Sequence, residues 1–576
     1  MALLKSESPA VTISEIDASA VVPAVTSSTG AIVGDFAWGP INQPVLVGNE
    51  NELVDAFGSP VLSNDSSAIE FLSANQFLKY STSLYAVRGA TDAALNAADS
   101  TGTAVQIENT DVFDNETPAS GDFFARYAGT AGNSLAVEVC CASAGFTGWT
   151  WEDEFDAQPG SSSYVTDGSA QDSAPLDEVH VIIYDEDGTF TGKKNTVLEK
   201  WANLSLATDA KTEDGLSNYY RDVLNNRSEY VYSPVHSSRL PPASTTASFV
   251  STVHGGADTL ASTPRYFGLA GGANSASLTT SEFATGFDLF EDENTIQVDF
   301  LIAPGMGSST DQDTVVDDLT AIAEGRKDCV VVASPPRSAV VGQTSNSTIQ
   351  TAITTWAAGL TKSSYLVVDN NYLKVYDKYN DKYEWVPAAS STAGLMANTD
   401  DVAAPWFSPA GGRRGRYLGV TQLGYNPSKS QRDVLYKADV NPIVNLPGQG
   451  IVLFGDKTFL GKNSAFNRIN VRRLFLVMER AIKGAAQNIL FEFNDEFSRA
   501  EFVGIVEPFL RDIQSRRGIQ EFLVVCDETN NGPDVVDNNS FVASVFVKPA
   551  RSINFVQLNF VAVRSGVDIS EITGAV

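Results

Sequence analysis

The stretch IQVDFLIAPGMGSSTDQDTVVDDLTAIAEGRKDCVVVASP, residues 296–335, sets the fold class. Two short apolar runs, IQVDFLIAP and CVVVASP, flank a segment at 311–325 whose apolar spacing is helical. The rhythm continues on both sides. A helix at 281–290 precedes the first strand, and a helix near 346–359 precedes the strand SYLVVD, 364–369. Strands alternating with helices predict a parallel sheet, because parallel neighbours need a long crossover. The rhythm breaks at VYDKYNDKYEWVP, 375–387, where two aromatic-rich arms flank Asn380–Asp381 and predict a hairpin.

Toward the N-terminus, residues 1–25 alternate weakly and carry Pro9 and Pro23, which reads as an extended arm. Gly30 and Gly34 bracket a buried strand, and SLYAVRG is another. Helices are expected from Asn49, as cap, to Phe57 and over 66–80. Residues 91–175 are rich in Ala, Ser, Thr, Gly and Asp with short strand-like pieces such as LAVEVC, and read as a β-rich insertion. VHVIIYDEDGTF, 179–190, reads as strand, Asp-Gly turn and strand. Helical signals follow near 194–202 and 214–227, and 233–280 reads as loop.

Toward the C-terminus, Ser428 or Ser430 can cap a short helix, and GIVLFG is a strand. Residues 468–488 place Leu474, Met478, Ile482 and Ala485 on one helical face. Residues 496–517 carry Val503, Val506, Leu510 and Ile513 at helical spacing, and Pro508 predicts a kink or a break. FLVVCD, FVASVFVKP and INFVQLNFV are strand-like. INFVQLNFV, apolar on both alternating faces, is expected to close the chain's own sheet. The last residues, sparser in apolar side chains and broken by Gly566, read as an arm.

The chain of 576 residues has a net charge of −31, which opposes nucleic-acid binding. The charge is uneven. Residues 91–190 hold 19 acids and one base, Arg126, whereas residues 461–520 hold ten bases and seven acids. An acidic region facing water and a second region open to a partner is the expected polarity. No run of about 18 apolar residues occurs, so no transmembrane helix or direct membrane insertion is expected. No signal peptide is read. The four cysteines show neither a disulfide framework nor zinc spacing.

Candidate chemistry is sparse. In PGQGIVLFGDKTF, 447–459, Gly450 and Gly455 have a phosphate loop's gap, but Asp456 stands where the lysine belongs, so strand and turn is the better reading. DEDG, 185–188, lacks the further ligands of a calcium loop. No metal site, cofactor or catalytic arrangement is expected. Arg473, Arg480 and Lys483 fall near one helical face away from the apolar stripe, and GGRRGR, 411–416, adds a basic loop. Both read as either solvated surface or a protein-partner surface.

Several stretches, in order, are similar to the contractile tail sheath proteins of T4-like bacteriophages. They are SPAVTISEID (8–17), VPAVTSSTGAIVGDFAWGPINQPVLVGNENELVDAFG (22–58) and ARYAGTAGNSLAVEV (125–139). HVIIYDEDGTFTGKKNTVLEKWANLSLATDAKTEDGLSNYYRDVLN (180–225) and LAGGANS (269–275) follow. WFSPAGGRRGRYLGV (406–420), INVRRLFLVMERAI (469–482) and KPARSINFV (548–556) complete the set.

The resemblance implies a structural, non-enzymatic subunit, with no cofactor, that stacks as hexameric rings around an inner tail tube. It implies contraction that drives the tube through the host envelope, with tube, baseplate and tail terminator proteins as partners. The expected place is the virion, assembled in host cytoplasm. The fold expected is multidomain α/β and α+β, with a mixed-sheet C-terminal core, terminal arms and a β-rich outer insertion. The expected divisions are an arm at 1–22, a discontinuous middle domain at 23–94 and 176–280, and an acidic outer insertion at 95–175. An α/β domain at 281–425, a core at 426–562 and an arm at 563–576 follow. Val11, Ile13, Ile16, Val563, Val567, Ile569 and Ile572 are expected to pair with neighbouring subunits, and Arg473, Arg480 and Lys483 to face the tube. A sheath of a phage-derived injection particle or secretion system is the alternative, and an α/β enzyme the third reading.

Overall fold

The computed structural model describes residues 28–60, 65–115, 118, 120–140, 143–160, 178–205, 210–234 and 264–552. The two arms, with their seven expected pairing residues, and INFVQLNFV lie outside the described residues. The rest divides into two compact units, residues 28–405 with 409–483, and residues 406–408 with 484–552. It is a mixed helix–strand, multidomain chain.

The first unit opens with β1 (Gly30–Gly34), β2 (Pro44–Val47), α1 (Glu50–Phe57), α2 (Asp65–Leu78) and β3 (Leu84–Arg88). The Asn49 side chain caps α1, accepting from the amides of Asn51 and Glu52 at 3.0 Å each. Next come β4 (Phe124–Ala125), β5 (Leu135–Cys140), β6 (Glu178–Asp185), β7 (Thr196–Ser205), α3 (Tyr220–Arg227), β8 (Val231–Tyr232) and β9 (Arg265–Gly268). The α/β rhythm then begins: α4 (Thr280–Asp288), β10 (Phe300–Ile302), α5 (Ser309–Arg326), β11 (Val330–Ala333), α6 (Asn346–Gly359) and β12 (Leu366–Val368). A capping box between Thr279 and Glu282 starts α4. β13 (Tyr372–Asp377), β14 (Lys382–Pro387), α7 (Ala389–Val402), β15 (Val420–Leu423), α8 (Lys429–Lys437), β16 (Ile443–Leu446) and β17 (Gly450–Leu453) follow. The boundary between the units falls inside α9 (Ile469–Gln487). The second unit holds α10 (Glu496–Ser515), β18 (Ile519–Val525) and β19 (Ser544–Pro549).

The expected parallel sheet is present. Six strands lie in the order β12-β11-β10-β1-β3-β2, all parallel except β2, which runs antiparallel to β3 at the edge. Alternate residues point to opposite faces. Ile32, Ile302 and Val332 join a core with α2 and α7, while Ala31, Leu301 and Val331 join one with α4, α5 and α6. Both faces are covered, which is why the strands read as continuous apolar runs. The 375–387 hairpin forms as β13–β14.

Strand pairing groups the chain differently from the expected domains. Residues 30–88 share their sheet with residues 300–368, not with 176–280. The insertion's own sheet, β7-β6-β5-β9, is antiparallel and recruits residues from both 95–175 and 176–280. This sheet runs on to Gly268, where β9 closes it beside β5. Arg88, fully buried, donates to the carbonyls of Gly39 at 2.9 Å and Ala128 at 2.7 Å, tying the two sheets' regions together.

Two local readings change, and a third narrows to one of its alternatives. The 194–202 segment is the strand β7: pairing with β6 outweighs the helical propensity of its Leu, Glu, Lys and Ala residues. The strand after Asp-Gly begins only at Thr196, because the Asp185 carboxylate accepts from the amides of Gly188, Thr189, Phe190 and Thr191 and organises a longer loop. The 496–515 segment is one helix with Pro508 inside it, rather than two short ones.

Candidate assembly interface

The α9 arginines do not form a free basic face. Arg473 is 4% exposed and binds both carboxylate oxygens of Asp400, with its Nη1 also donating to the Met396 carbonyl at 3.0 Å. Its guanidinium lies 4.9 Å from the centre of the Phe300 ring. Arg480 donates to Asp299 Oδ1 at 2.7 Å and to the Asp328 carbonyl at 2.8 Å. Burial pushes the Asp299 carboxyl up, while Arg480 and the Thr29 amide pull it down. Arg472 donates to Ser364 Oγ at 2.6 Å. Arg480 and Arg472 bolt α9 to residues just before β10, β11 and β12, and Arg473 bolts it to α7. Lys483 pairs with Glu293 and keeps half its side chain exposed. The expectation of a free cationic face at Arg473 and Arg480 is corrected: their partners lie 73 and 181 residues away, where helical spacing carries no signal.

The other candidate sites are also spent on structure. Asp456 pairs with Arg468 at 2.8 Å, and Lys457 pairs with Asp439 at 3.1 Å and donates to the Tyr436 carbonyl. The 447–459 segment is thus strand and turn, with its cation already engaged. Cys140, Cys329 and Cys526 are buried, and no group of His, Cys, Asp or Glu among the described residues could hold a metal ion. No helix among them is long and apolar enough to cross a membrane.

The features left open are surfaces. β18 and β19 form a two-stranded antiparallel ribbon, with one strand partner each among the described residues. One face lies against α10, whose Phe502, Val506, Leu510 and Ile513 are buried. On the other face the cross-strand pair Leu523 and Phe546 is 58% and 59% exposed, beside Glu521 and Lys548. A two-stranded ribbon is marginal alone, and neither outer edge has a strand partner among the described residues.

A second patch lies between α9 and α10. Leu490, Phe491, Phe493 and Phe497 are all strongly exposed. Phe491 adopts φ +74°, an outlier for a bulky residue. The loop is held from below: Asn494 donates to the Ser540 carbonyl at 2.8 Å, Arg499 donates to Asn494 at 3.0 Å, and Asp495 caps α10. Exposed aromatics on a pinned loop mark an interaction surface. Sequence reading missed this patch. The run LFEF between two helices was the available signal.

The chain matches three family models: the phage tail sheath protein central domain over residues 277–459, the phage tail sheath C-terminal domain over 461–562, and the domain III N-terminal region of a tail sheath protein over 27–88. The first and third fall on the two halves of the six-stranded sheet. The chain is 31% identical to the tail sheath protein of Vibrio phage KVP40, covering 98% of this chain and 99% of that one. It is 31% identical to the tail sheath protein of Salmonella phage ViI, covering 98% of each chain. Identity to the tail sheath protein of Enterobacteria phage T4 is 41% over 53% of this chain and 48% of that one. Two crystal structures share the fold. A sheath tail protein of Listeria innocua has a TM-score of 0.55 at 12% identity, covering 92% of this chain and 93% of that one. One from Desulfitobacterium hafniense has a TM-score of 0.51 at 12% identity, covering 94% and 100%. The chain belongs to the phage tail sheath family and is a structural subunit of a contractile tail sheath, a component of the virion.

Proposed function

We propose that this subunit stacks as hexameric rings around an inner tail tube and that neighbouring copies are linked by donated strands. The observation that carries the reading is the β18–β19 ribbon, with its exposed Leu523–Phe546 face and edges that have no strand partner among the described residues. Residues 1–22 and 563–576 are the proposed donors, through Val11, Ile13, Ile16, Val563, Val567, Ile569 and Ile572. An added strand satisfies backbone groups across a subunit boundary and stays paired while the attached bodies turn. Roughly five or six such hydrogen bonds, at about 0.5–1.5 kcal/mol each, with apolar burial, supply several kcal/mol per junction.

Contraction is then a rearrangement of subunit contacts from a metastable extended sheath to one with more buried interface, without a nucleotide. The tube contact is proposed at Lys483, since Arg473 and Arg480 serve the chain's own fold. Baseplate and terminator proteins meet the two ends of the stack, and assembly takes place in host cytoplasm. A sheath of a phage-derived injection particle uses the same contacts.

Electron microscopy of the purified full chain tests this reading, with ribbed tubes expected. Chains lacking 1–22 or 564–576 are expected to fold with an unchanged circular dichroism spectrum and to form no tubes. Normal tubes from either truncation remove that arm from the reading, and a strictly monomeric full chain at high concentration removes the whole.

A further inference from the structure

The chain carries 70 acidic and 39 basic residues, so an arginine without an acid beside it runs against the composition. Arg413 and Arg416 are both exposed, and neither forms an ion pair among the described residues. The loop presenting them is fixed. Gly411 takes φ +87°, and the Gly415 amide donates to the Gly411 carbonyl at 2.8 Å. The Gly411 amide donates to the Leu453 carbonyl, and the Leu453 amide to the Gly415 carbonyl, each at 2.8 Å. A Cβ on Gly415 would stand 2.8 Å from the Pro409 carbonyl oxygen, so this turn requires glycine there.

A groove of about 690 Å³ opens between α4 and α5. Phe287 and Ile322 contribute to its apolar floor, and Asp288, Glu291, Asp292 and Asp318 bring carboxylates to its wall. Asp288, Glu291 and Asp318 form no ion pair among the described residues. Burial and the neighbouring Asp288 and Asp317 push the Asp318 carboxyl up, and Arg326, which also lines the groove, is already held by Asp328 at 2.8 Å. An apolar floor with an acidic wall suits arginine, whose stem is apolar and whose fork pairs with carboxylates.

Groove and loop cannot meet within one chain. The groove helices cover the sheet face lined by Ala31, Leu301 and Val331. Tyr417 and Leu453, which flank the arginine loop, join the core on the opposite face with Ile32, Ile302 and Val332. The six-stranded sheet stands between the two surfaces.

We propose that the α4–α5 groove of one copy receives the Arg413–Arg416 loop of a second copy. The contact joins two different surfaces, so each copy keeps one free groove and one free loop, and repetition builds a ring or a helix. The inference rests on the self-assembly reading above and names a contact separate from strand donation.

A charge swap in the full chain tests it. Arg413→Glu with Arg416→Glu, and separately Asp288→Lys with Glu291→Lys, are expected to raise the protein concentration needed for tubes by about tenfold or more in low salt. Thermal melts should stay unchanged, since all four residues are exposed. Combining the two reversals in one chain is expected to restore tubes to near the wild-type concentration. Tubes unaffected by either reversal overturn the inference while leaving wild-type assembly and strand donation standing. Loss from both reversals without rescue overturns it too, as does loss from the groove reversal alone, which would give the groove a different cationic partner. Should a reversal unfold the chain, Arg413→Gln with Arg416→Gln replaces it: weakened assembly supports the contact and unchanged assembly overturns it. A wild-type chain that stays monomeric overturns both readings.

Discussion

CVVVASP and FLVVCD are almost the same local message, and the molecule treats them in opposite ways. The first supplies β11, whose four residues are buried in a six-stranded sheet with cores on both faces. The second lies in β18, half of a two-stranded ribbon with one face open. Local sequence fixes that both are strands. Whether a strand is covered depends on chain hundreds of residues away, or on another molecule. In the parallel sheet, residues 30–88 and 300–368 cover one another. The ribbon has no such cover among the described residues, and that difference separates the part of the sheath subunit that holds its own shape from the part proposed to be completed by neighbours.

The comparison breaks first where the covered region is weakened. Arg473→Ala leaves Asp400 buried without its cation, and losing one partner of a buried pair costs about 3–5 kcal/mol. Chemical denaturation should show this loss, with Asp400→Ala of similar size and the double variant less than additive. A loss below about 1 kcal/mol, the scale of an exposed pair, would mean that α9 is a surface helix after all.

The next effect depends on pH. Asp369, fully buried after β12, accepts from Ser334 Oγ at 2.9 Å, the Asn371 amide at 3.1 Å and Thr392 Oγ1 at 3.2 Å. Burial nevertheless pushes its carboxyl up to about 7. The native state therefore holds a proton that the unfolded chain releases near pH 4, and stability falls as pH rises toward about 7, by at most about 1.4 kcal/mol per pH unit. Asp369→Asn removes that slope, so the wild type minus variant difference in unfolding free energy should fall between about pH 4 and 7 and level off above. A difference flat with pH would mean that water reaches this carboxyl and that the sheet's end is open like the ribbon.

Much of this division was legible. The 346–359 helix, the three parallel strands and the 375–387 hairpin follow from local periodicity and turn residues, because each is decided within about a dozen positions. What periodicity could not reach were contacts between distant residues. Arg473 and Asp400 each look like solvated charges in their own segments, and only the fold brings them together. The insertion's limit was missed for the same reason: RYFG at 265–268 is a short run in a loop-rich segment, and its pairing with β5 makes it a strand. Acid-rich composition singled out 91–190, but composition cannot say where a sheet closes.

The smallest effect on the isolated chain is the most telling for the ribbon. Leu523→Lys with Phe546→Lys changes two exposed, cross-strand residues on a face with no cover among the described residues. Exposed substitutions of this kind shift stability by about 0.5 kcal/mol or less, with some added cost from two like charges set opposite each other. Denaturation of the monomer should therefore barely change. Assembly should fail, because any neighbour that covers this face must then bury two ammonium groups without partners. The two measurements separate the possibilities. A large stability loss would show that the face is already covered within the chain, which places the ribbon with the parallel sheet. Unchanged stability with normal tubes would show that the face stays wet in the sheath, and the donated strands would then have to hold by edge hydrogen bonds alone, at about 0.5–1.5 kcal/mol each.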